Sequence, residues 1–288
     1  MIRLYIIISL AFLFPTLLFS NTHCESEKDS IAISSMLMEA KNMPKDTNWM
    51  MFFANHFINT PYVSHTLDQN STEKLVINTR GVDCTTFVEY VTALAHCISN
   101  NETSFRSFCK HLRNIRYAGG LTDYCNRNHY FTQWIDENTA NGYIKPVALP
   151  SEEIKTISKK LAINFMSSHS HLYAMLQNDS SRMAGIRKME KRLTGKVIEY
   201  IPKKALHNYS ALKKHIINGD IIAIMTSRAG LDTSHIGLAC WKKGRLHILH
   251  ASSRYKKVII EPEPIHLYMA KQPQQTGIMV VRKQLPTH

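Results

Sequence analysis

The sequence is poor in the residues that usually divide a chain into parts, with 11 glycines and 10 prolines among 288 residues. No segment rich in Gly, Pro or Ser and no internal repeat interrupts it, so we expect a single domain. The six cysteines are too few for a disulfide scaffold and show no Cys-x-x-Cys spacing, which argues against a zinc knot. The sequence leaves open whether disulfides join any of Cys97, Cys109 and Cys125.

Acidic residues are also scarce, since 22 Asp and Glu face 35 Lys and Arg, which gives a net charge of +13. The surface should therefore favour anionic partners such as a cell-wall polymer, a membrane or a nucleic acid. The sequence lacks a compact stripe of Lys and Arg with interleaved aromatic residues, and we predict that nucleic acid is not a partner. A composition of 44% hydrophobic and 20% charged residues excludes a disordered chain.

Long hydrophobic runs are confined to the first twenty residues. Arg3 gives a positive start, an almost wholly apolar run reaches Leu18, and Ser20 follows its end. About 15 apolar residues are too few for a membrane span but typical of a secretory signal. We therefore expect a signal peptide over 1–20 and an exported protein, periplasmic or secreted, over 21–288, without stable membrane insertion. An uncleaved N-terminal anchor is the alternative.

The order of the predicted elements separates helices from strands. Helical spacing of apolar residues predicts helices within 29–58, 84–97, 102–115, 151–163 and 182–193. Alternation and turn residues predict strands over 220–226, 235–241, 246–251 and 258–261. Helices first and strands last indicate an α+β fold, in which N-terminal helices pack on a C-terminal antiparallel sheet.

One cysteine stands in a context that the other five lack. Asp83 is a good N-cap, so Cys84 becomes the first residue of a helix and heads its buried face with Phe87 and Val88. The positive end of the helix dipole and the unpaired N–H groups there favour a thiolate, which is the nucleophilic form of cysteine. The same N–H groups could stabilise an oxyanion. A small buried core cysteine is the alternative.

A predicted hairpin places two histidines on one face of the sheet. If Trp241 pairs with Leu246, Gly237 lies opposite His250, and His235 becomes a diagonal neighbour of His250. This arrangement suits a base, His235, that a second imidazole orients, as in cysteine hydrolases. Two histidines half-buried in a sheet are the alternative.

Several sequence blocks resemble the NlpC-type cell-wall peptidases, which are papain-like cysteine hydrolases. The blocks around the two sites are Thr60-Pro61-Tyr62, Val82-Asp83-Cys84-Thr85-Thr86-Phe87-Val88-Glu89, Ser234-His235-Ile236-Gly237 and Leu249-His250-Ala251-Ser252-Ser253. A closer resemblance, over about residues 45–285, is to the N-acetylmuramoyl-L-alanine amidase-like family. Its further blocks are Ile115-Arg116-Tyr117, His129-Tyr130-Phe131-Thr132-Gln133-Trp134-Ile135, Met166-Ser167-Ser168-His169, Tyr200-Ile201-Pro202-Lys203 and Gly219-Asp220-Ile221-Ile222.

This resemblance implies a papain-like, NlpC-type fold and a cysteine amidase that needs no metal or cofactor. Its substrates would be peptidoglycan fragments (muropeptides), cut between the lactyl group of N-acetylmuramic acid and L-alanine. Cys84 matches the nucleophile of the family, His235 the base and His250 the third polar residue. Tyr62 matches the tyrosine whose hydroxyl points toward the oxyanion.

The resemblance also implies that residues 98–205 form a helical elaboration that walls the cleft and selects the substrate. Candidate substrate contacts are Asp83, Arg116, Tyr117, His129, Tyr130 and Ser234. A guanidinium can hold a carboxylate and an aromatic ring can stack on a sugar, although a surface Arg and core aromatics are the alternative. The sequence departs from the family at Asn59, where glycine usually precedes Thr-Pro-Tyr, and at Gln133, where an acidic residue is common.

Three rival functions stay open from the sequence. A zinc amidase would use His169 and His171, but no carboxylate is placed to complete the ligand set. A non-catalytic cell-wall-binding module would keep the fold and lose the chemistry. An NlpC-type endopeptidase would cut γ-D-glutamyl bonds of the stem peptide with the same residues, and would differ only in where the peptide lies. In each case we expect a monomer.

Overall fold

An antiparallel sheet formed mainly by the C-terminal half carries the helices of the N-terminal half. The computed structural model describes residues 27–150 and 152–284, and the predicted signal peptide lies outside them. The helices are α1 (Glu27–Lys41), α2 (Trp49–His56), α3 (Cys84–Ser99), α4 (Phe105–Arg116), α5 (Phe131–Ala140), α6 (Phe165–Ser168), α7 (Ser180–Leu193), α8 (Tyr209–His215) and α9 (Ile265–Ala270). The α+β prediction is confirmed. Within the described ranges, no helix is both long and apolar enough to cross a bilayer.

The sheet has eight strands, and every pairing between them is antiparallel. They are β1 (Ile144–Pro146), β2 (Ile157–Lys160), β3 (Val197–Pro202), β4 (Ile221–Thr226), β5 (Thr233–Lys242), β6 (Arg245–Ser252), β7 (Lys257–Ile260) and β8 (Gln275–Lys283). The order is β2-β3-β8-β4-β5-β6-β7, and β1 also pairs with β8. The sequence pattern missed β8, which lies between β3 and β4.

Helix α3 forms the centre of the core between the helices and the sheet. Its residues from Thr86 to Cys97 are all buried, and the apolar ones pack with Ile236 and Leu238 of β5 and with Leu249 of β6. Full burial of each large apolar side chain contributes about 1.5–3 kcal/mol. This packing fixes the N-terminus of α3 against the strands that carry the predicted histidines.

The hairpin of β5 and β6 has the predicted register, with Trp241 paired to Leu246. Lys243 and Gly244 form its two-residue turn and both have positive φ, 47° and 73°, as this turn type requires. Gly237 is needed for close approach, since a Cβ there would lie 2.9 Å from Cβ of His250. The two histidine positions are therefore adjacent on the sheet.

The segment between α3 and β4 differs from its prediction. No helix forms over 152–163 in the described residues; instead Ile157–Lys160 pairs as β2 with β3. Pairing with a neighbouring strand outweighs the helical spacing there, because strand preference depends on tertiary contacts. Residues 98–205 carry the predicted helices α4 and α7, and also α5, α6 and three strands, so this elaboration is not purely helical.

Candidate active site

Cys84 is the first residue of α3, as predicted, and a capping box fixes its position. The Asp83 carboxylate accepts from the Thr86 N–H at 2.8 Å, and the Thr86 hydroxyl accepts from the Asp83 N–H at 2.9 Å. Asp83 therefore satisfies backbone groups at the helix start. A bridge between Tyr62 and Val82 holds the preceding segment in place.

The Cys84 sulfur opens into a cavity that it shares with His235. The cavity has a volume of about 180 Å³ and is lined by residues 84–85, by four residues between 128 and 134, and by residues 233–236. The backbone N–H of Ile236 and the hydroxyl of Thr85 both donate to the Cys84 sulfur. The hydrogen bond from Ile236 brings β5, one residue beyond His235, directly against Cys84.

The two histidine rings meet as the hairpin prediction requires. Nε2 of His235 lies 2.6 Å from Nδ1 of His250, and the rings are edge to face. A β-bulge on β5 at Ser234, where the pairing with β4 shifts, immediately precedes His235. Such bulges re-aim the side chains beside them. With Nε2 engaged by His250, His235 has Nδ1 left for the cavity that contains Cys84.

The prediction that the helix terminus favours a Cys84 thiolate is wrong for the resting protein. Burial and the Asp83 carboxylate raise the pKa of Cys84 to about 12, despite the hydrogen bonds that favour the thiolate. Burial and His250 lower the pKa of His235 to about 3. Both shifts favour an uncharged thiol beside a neutral imidazole near pH 7.

These shifts predict how Cys84 reacts with iodoacetamide. Because the thiolate is the reactive form, we expect the alkylation rate to be slow near pH 7 and to rise about tenfold per pH unit up to pH 9. Mass spectrometry of the labelled peptide measures the rate, and Cys84→Ala gives the background from the other cysteines. A rate independent of pH over this range would show a preformed thiolate–imidazolium pair.

Tyr62 lies within electrostatic reach of Cys84. Burial, Cys84 and Asp83 raise the pKa of Tyr62 to about 12, so its hydroxyl keeps the proton at neutral pH and can donate it in a hydrogen bond. The departure at Asn59 has a conformational explanation. Asn59 has φ of 70°, a left-handed conformation that favours glycine and that asparagine tolerates better than most residues.

Three of the predicted substrate contacts lie in the core instead. Arg116 is 1% exposed, and its guanidinium donates to Glu89 and to the carbonyl of Val76, each at 2.7 Å. The Tyr117 and Tyr130 rings are buried as well. Their hydroxyls donate to carboxylates at 2.7 Å, Tyr117 to Glu73 and Tyr130 to Glu190. The prediction for these three residues is therefore corrected: their polar groups are used inside the protein.

The other predicted contacts lie at or near the cavity. His129 and Ser234 line it. Nε2 of His129 is 2.7 Å from the carbonyl oxygen of Tyr124, while burial and Arg127 lower the pKa of His129 to about 3, so this ring is neutral. Asp83 is committed to the helix cap and acts on the site through its charge.

Two cavity residues were missed by the sequence prediction. Trp134 lines the cavity and stacks on Phe131, and its buried Nε1–H has no partner; the same holds for Oδ1 of the buried Asn128. A free donor and a free acceptor at this cavity suit an amide-containing ligand. The helical spacing of Phe131 and Trp134, three residues apart in α5, was the available signal.

One group in the described part of the chain has the side chains of a metal site. The ligand atoms of Cys97, Glu102 and His111 lie within 4.8 Å of one another. Nε2 of His111 is 2.7 Å from Glu102, and Nδ1 is 2.9 Å from the hydroxyl of Tyr143, so hydrogen bonds already occupy both nitrogens. The zinc pair proposed from the sequence, His169 and His171, belongs to no such group among the described residues.

Comparison with known protein families now identifies the chain. Residues 52–278 match the AmiA-like, N-acetylmuramoyl-L-alanine amidase-like family. The chain belongs to this family. The predicted resemblance is thereby confirmed, and membership supports an amidase-like role on material derived from peptidoglycan. A comparison with curated proteins gives no significant match.

Solved structures of similar proteins agree with the fold. An N-acetylmuramoyl-L-alanine amidase from Bacteroides uniformis is 36% identical, with a TM-score of 0.75, and the match covers 82% of this chain and 97% of that one. A Bacteroides fragilis protein named as a candidate xylanase is 38% identical, with a TM-score of 0.73 and 80% and 98% coverage. A Legionella pneumophila protein, 24% identical with a TM-score of 0.72 and 90% and 95% coverage, shares the fold.

Proposed function

We propose that this member of the amidase-like family is an exported cysteine amidase of the papain-like, NlpC-type superfamily. It hydrolyses the N-acetylmuramoyl-L-alanine bond of muropeptides through Cys84, His235 and His250. The observation that carries the proposal is the 2.6 Å contact between His235 and His250 beside a cysteine at a helix N-terminus. A nucleophile, a base and a residue that orients the base are the three parts that such hydrolysis needs.

The reaction begins with attack of the Cys84 sulfur on the lactyl carbonyl carbon. Since the resting pair is uncharged, the thiol proton passes to Nδ1 of His235 as the carbon–sulfur bond forms. The Cys84 N–H and the Tyr62 hydroxyl donate to the oxyanion, and the raised pKa of Tyr62 keeps its proton available. His235 then returns the proton to the alanine nitrogen as the carbon–nitrogen bond breaks.

Hydrolysis of the acyl-enzyme completes the cycle. Water loses a proton to His235 and attacks the thioester carbon, and His235 gives the proton to the leaving sulfur. The products are a sugar with a free lactyl carboxylate and a peptide that begins with L-alanine. This sequence of steps needs no metal or cofactor, and one imidazole serves alternately as base and acid.

A glycosidase reaction, as the name of the Bacteroides fragilis neighbour would imply, is not favoured at this cavity. Glycoside hydrolysis generally uses two carboxyl groups on either side of the scissile bond. No Asp or Glu is among the described residues that line the cavity at Cys84. Cys84, two imidazoles and amide-binding groups suit acyl transfer instead.

Mass spectrometry of products from defined muropeptides tests the proposal. The substrates are N-acetylmuramoyl peptides in the ordinary and the anhydro-sugar form, incubated with the purified chain without its first 20 residues. We expect free peptide that begins with L-alanine. Fragments that retain L-alanine on the sugar would instead show the γ-D-glutamyl endopeptidase, which uses the same three residues. Intact substrate in every reaction would favour a non-catalytic wall-binding module.

Export and a monomeric state belong to the same proposal. The apolar run that ends near Leu18 and the peptidoglycan-related family both favour a place outside the cytoplasm. Mass spectrometry of the mature N-terminus in a secreting host would locate the cleavage, which we expect near Ser20.

A further inference from the structure

A buried carboxylate lies behind the two histidines and has no hydrogen-bond partner. Glu261 and His250 are each 1% exposed. The nearest approach joins Oε2 of Glu261 and Nε2 of His250, at 3.5 Å. Among the described residues, neither Glu261 oxygen nor this nitrogen has any hydrogen bond. Burying a charged group without a partner is costly, so two such groups that face each other call for an explanation.

The backbone holds Glu261 in this place. Glu261 follows β7 directly, and its N–H donates to the carbonyl of Ile248 at 2.8 Å. Nδ1 of His247 lies 2.9 Å from the Glu261 carbonyl oxygen. In the adjoining ladder, His250 pairs with Ile259. The carboxylate therefore reaches His250 from a fixed backbone.

We propose that Glu261 is a positioning residue, which sets the tautomer of both histidines; the proposal rests on the proposed function. An ionised Glu261 can only accept, so Nε2 of His250 carries a proton and points it at the carboxylate. Nδ1 of His250 is then an acceptor, and Nε2 of His235 must donate to it across 2.6 Å. This leaves the Nδ1 lone pair of His235 free for the Cys84 proton.

The opposite protonation of Glu261 would disable the base. A protonated carboxyl donates to Nε2 of His250, so Nδ1 of His250 carries the proton and donates to Nε2 of His235. His235 then carries its proton on Nδ1 and cannot accept one from Cys84. Glu261 also supplies the negative charge that stabilises the imidazolium formed during attack, because electrostatic interactions are strong in a buried site.

Other titratable groups surround the pair. Near Cys84 they are Asp83 and Tyr62, on α9 Tyr268 lies edge-on to His250 with ring centroids 5.8 Å apart, and Arg254 acts on Tyr268. The nearest of these to His250 is a tyrosine with a pKa raised by burial, so it is neutral at pH 7. Glu261 is thus the carboxylate that contacts His250.

Glu261→Gln tests the proposal, because the amide has nearly the same shape but lacks the charge. We expect kcat/KM for muropeptide hydrolysis to fall about 100-fold, as second-shell orienting groups typically contribute 10–100-fold or more. Glu261→Asp, which keeps the charge, should lose less than Glu261→Gln. The matched control is Glu263→Gln, two residues away, whose carboxylate pairs with Lys271 at 2.6 Å outside the site; its kcat/KM should be unchanged.

Nitrogen-15 NMR of the imidazoles gives a readout that a purely structural role would not move. In the folded Cys84→Ala protein, we expect protons on Nε2 of both His235 and His250, and a shift toward Nδ1–H when Glu261→Gln is added. A proton on Nδ1 of His235 with Glu261 intact would overturn the proposal, even where the variant fails to fold. Wild-type inactivity would contradict the proposed function, whereas an active wild type with an equally active Glu261→Gln would contradict this inference alone.

Discussion

Replacement of Cys84 by alanine is expected to reduce amide hydrolysis by at least about 10⁴-fold, because it removes the only atom placed to form the acyl-enzyme. The histidine pair remains in this variant, so any residual rate measures what His235 and the oxyanion donors achieve with water alone. Product formation from N-acetylmuramoyl peptides, followed by mass spectrometry, measures the loss. The fold should survive, since Asp83 and Thr86, which form the capping box, are unchanged.

Cys125→Ala is the matched control. Cys125 is also half-buried, but its sulfur lies 3.6 Å from the carbonyl of Arg182, outside the cavity. We expect full activity from this variant. Undiminished hydrolysis by Cys84→Ala would contradict the cysteine mechanism, and inhibition of that activity by a chelator would point to a zinc enzyme instead.

The sequence predicted the parts of the site that depend on local geometry. The helix start at Cys84 follows from the Asp83 cap, and the pairing of Trp241 with Leu246 follows from a two-residue turn that ends in glycine. Hairpin register is set by the turn, and register decides which side chains share a face. The contact between His235 and His250 is therefore predictable without any long-range information.

Features that depend on distant neighbours could not be predicted in the same way. The segment 151–163 has helical spacing, yet it provides β2 because β3 lies beside it. Glu261 had no role in the sequence prediction, since its approach to His250 requires β7 to be paired with β6. Burial likewise reversed the expected thiolate character of Cys84, as desolvation outweighs the helix terminus.

Arg116 shows the same limit, and its replacement by methionine is expected to lower the free energy of unfolding by about 3–5 kcal/mol. The loss of the guanidinium leaves the Glu89 carboxylate, itself buried, without the 2.7 Å contact that compensates its charge. Val76 would also lose the donor to its carbonyl. Urea unfolding measures the change. Arg113→Met on the same helix is the control, and we expect less than about 1 kcal/mol there, because Arg113 is half-exposed.

The double variant Arg116→Met with Glu89→Leu separates a buried ion pair from a substrate contact. Removal of both charges leaves no unpaired carboxylate, so most of the lost stability should return. The KM for muropeptides should stay near the wild-type value in the folded double variant, because neither side chain reaches the cavity at Cys84. A large rise in KM with stability restored would instead place Arg116 at the substrate, as the sequence pattern first indicated.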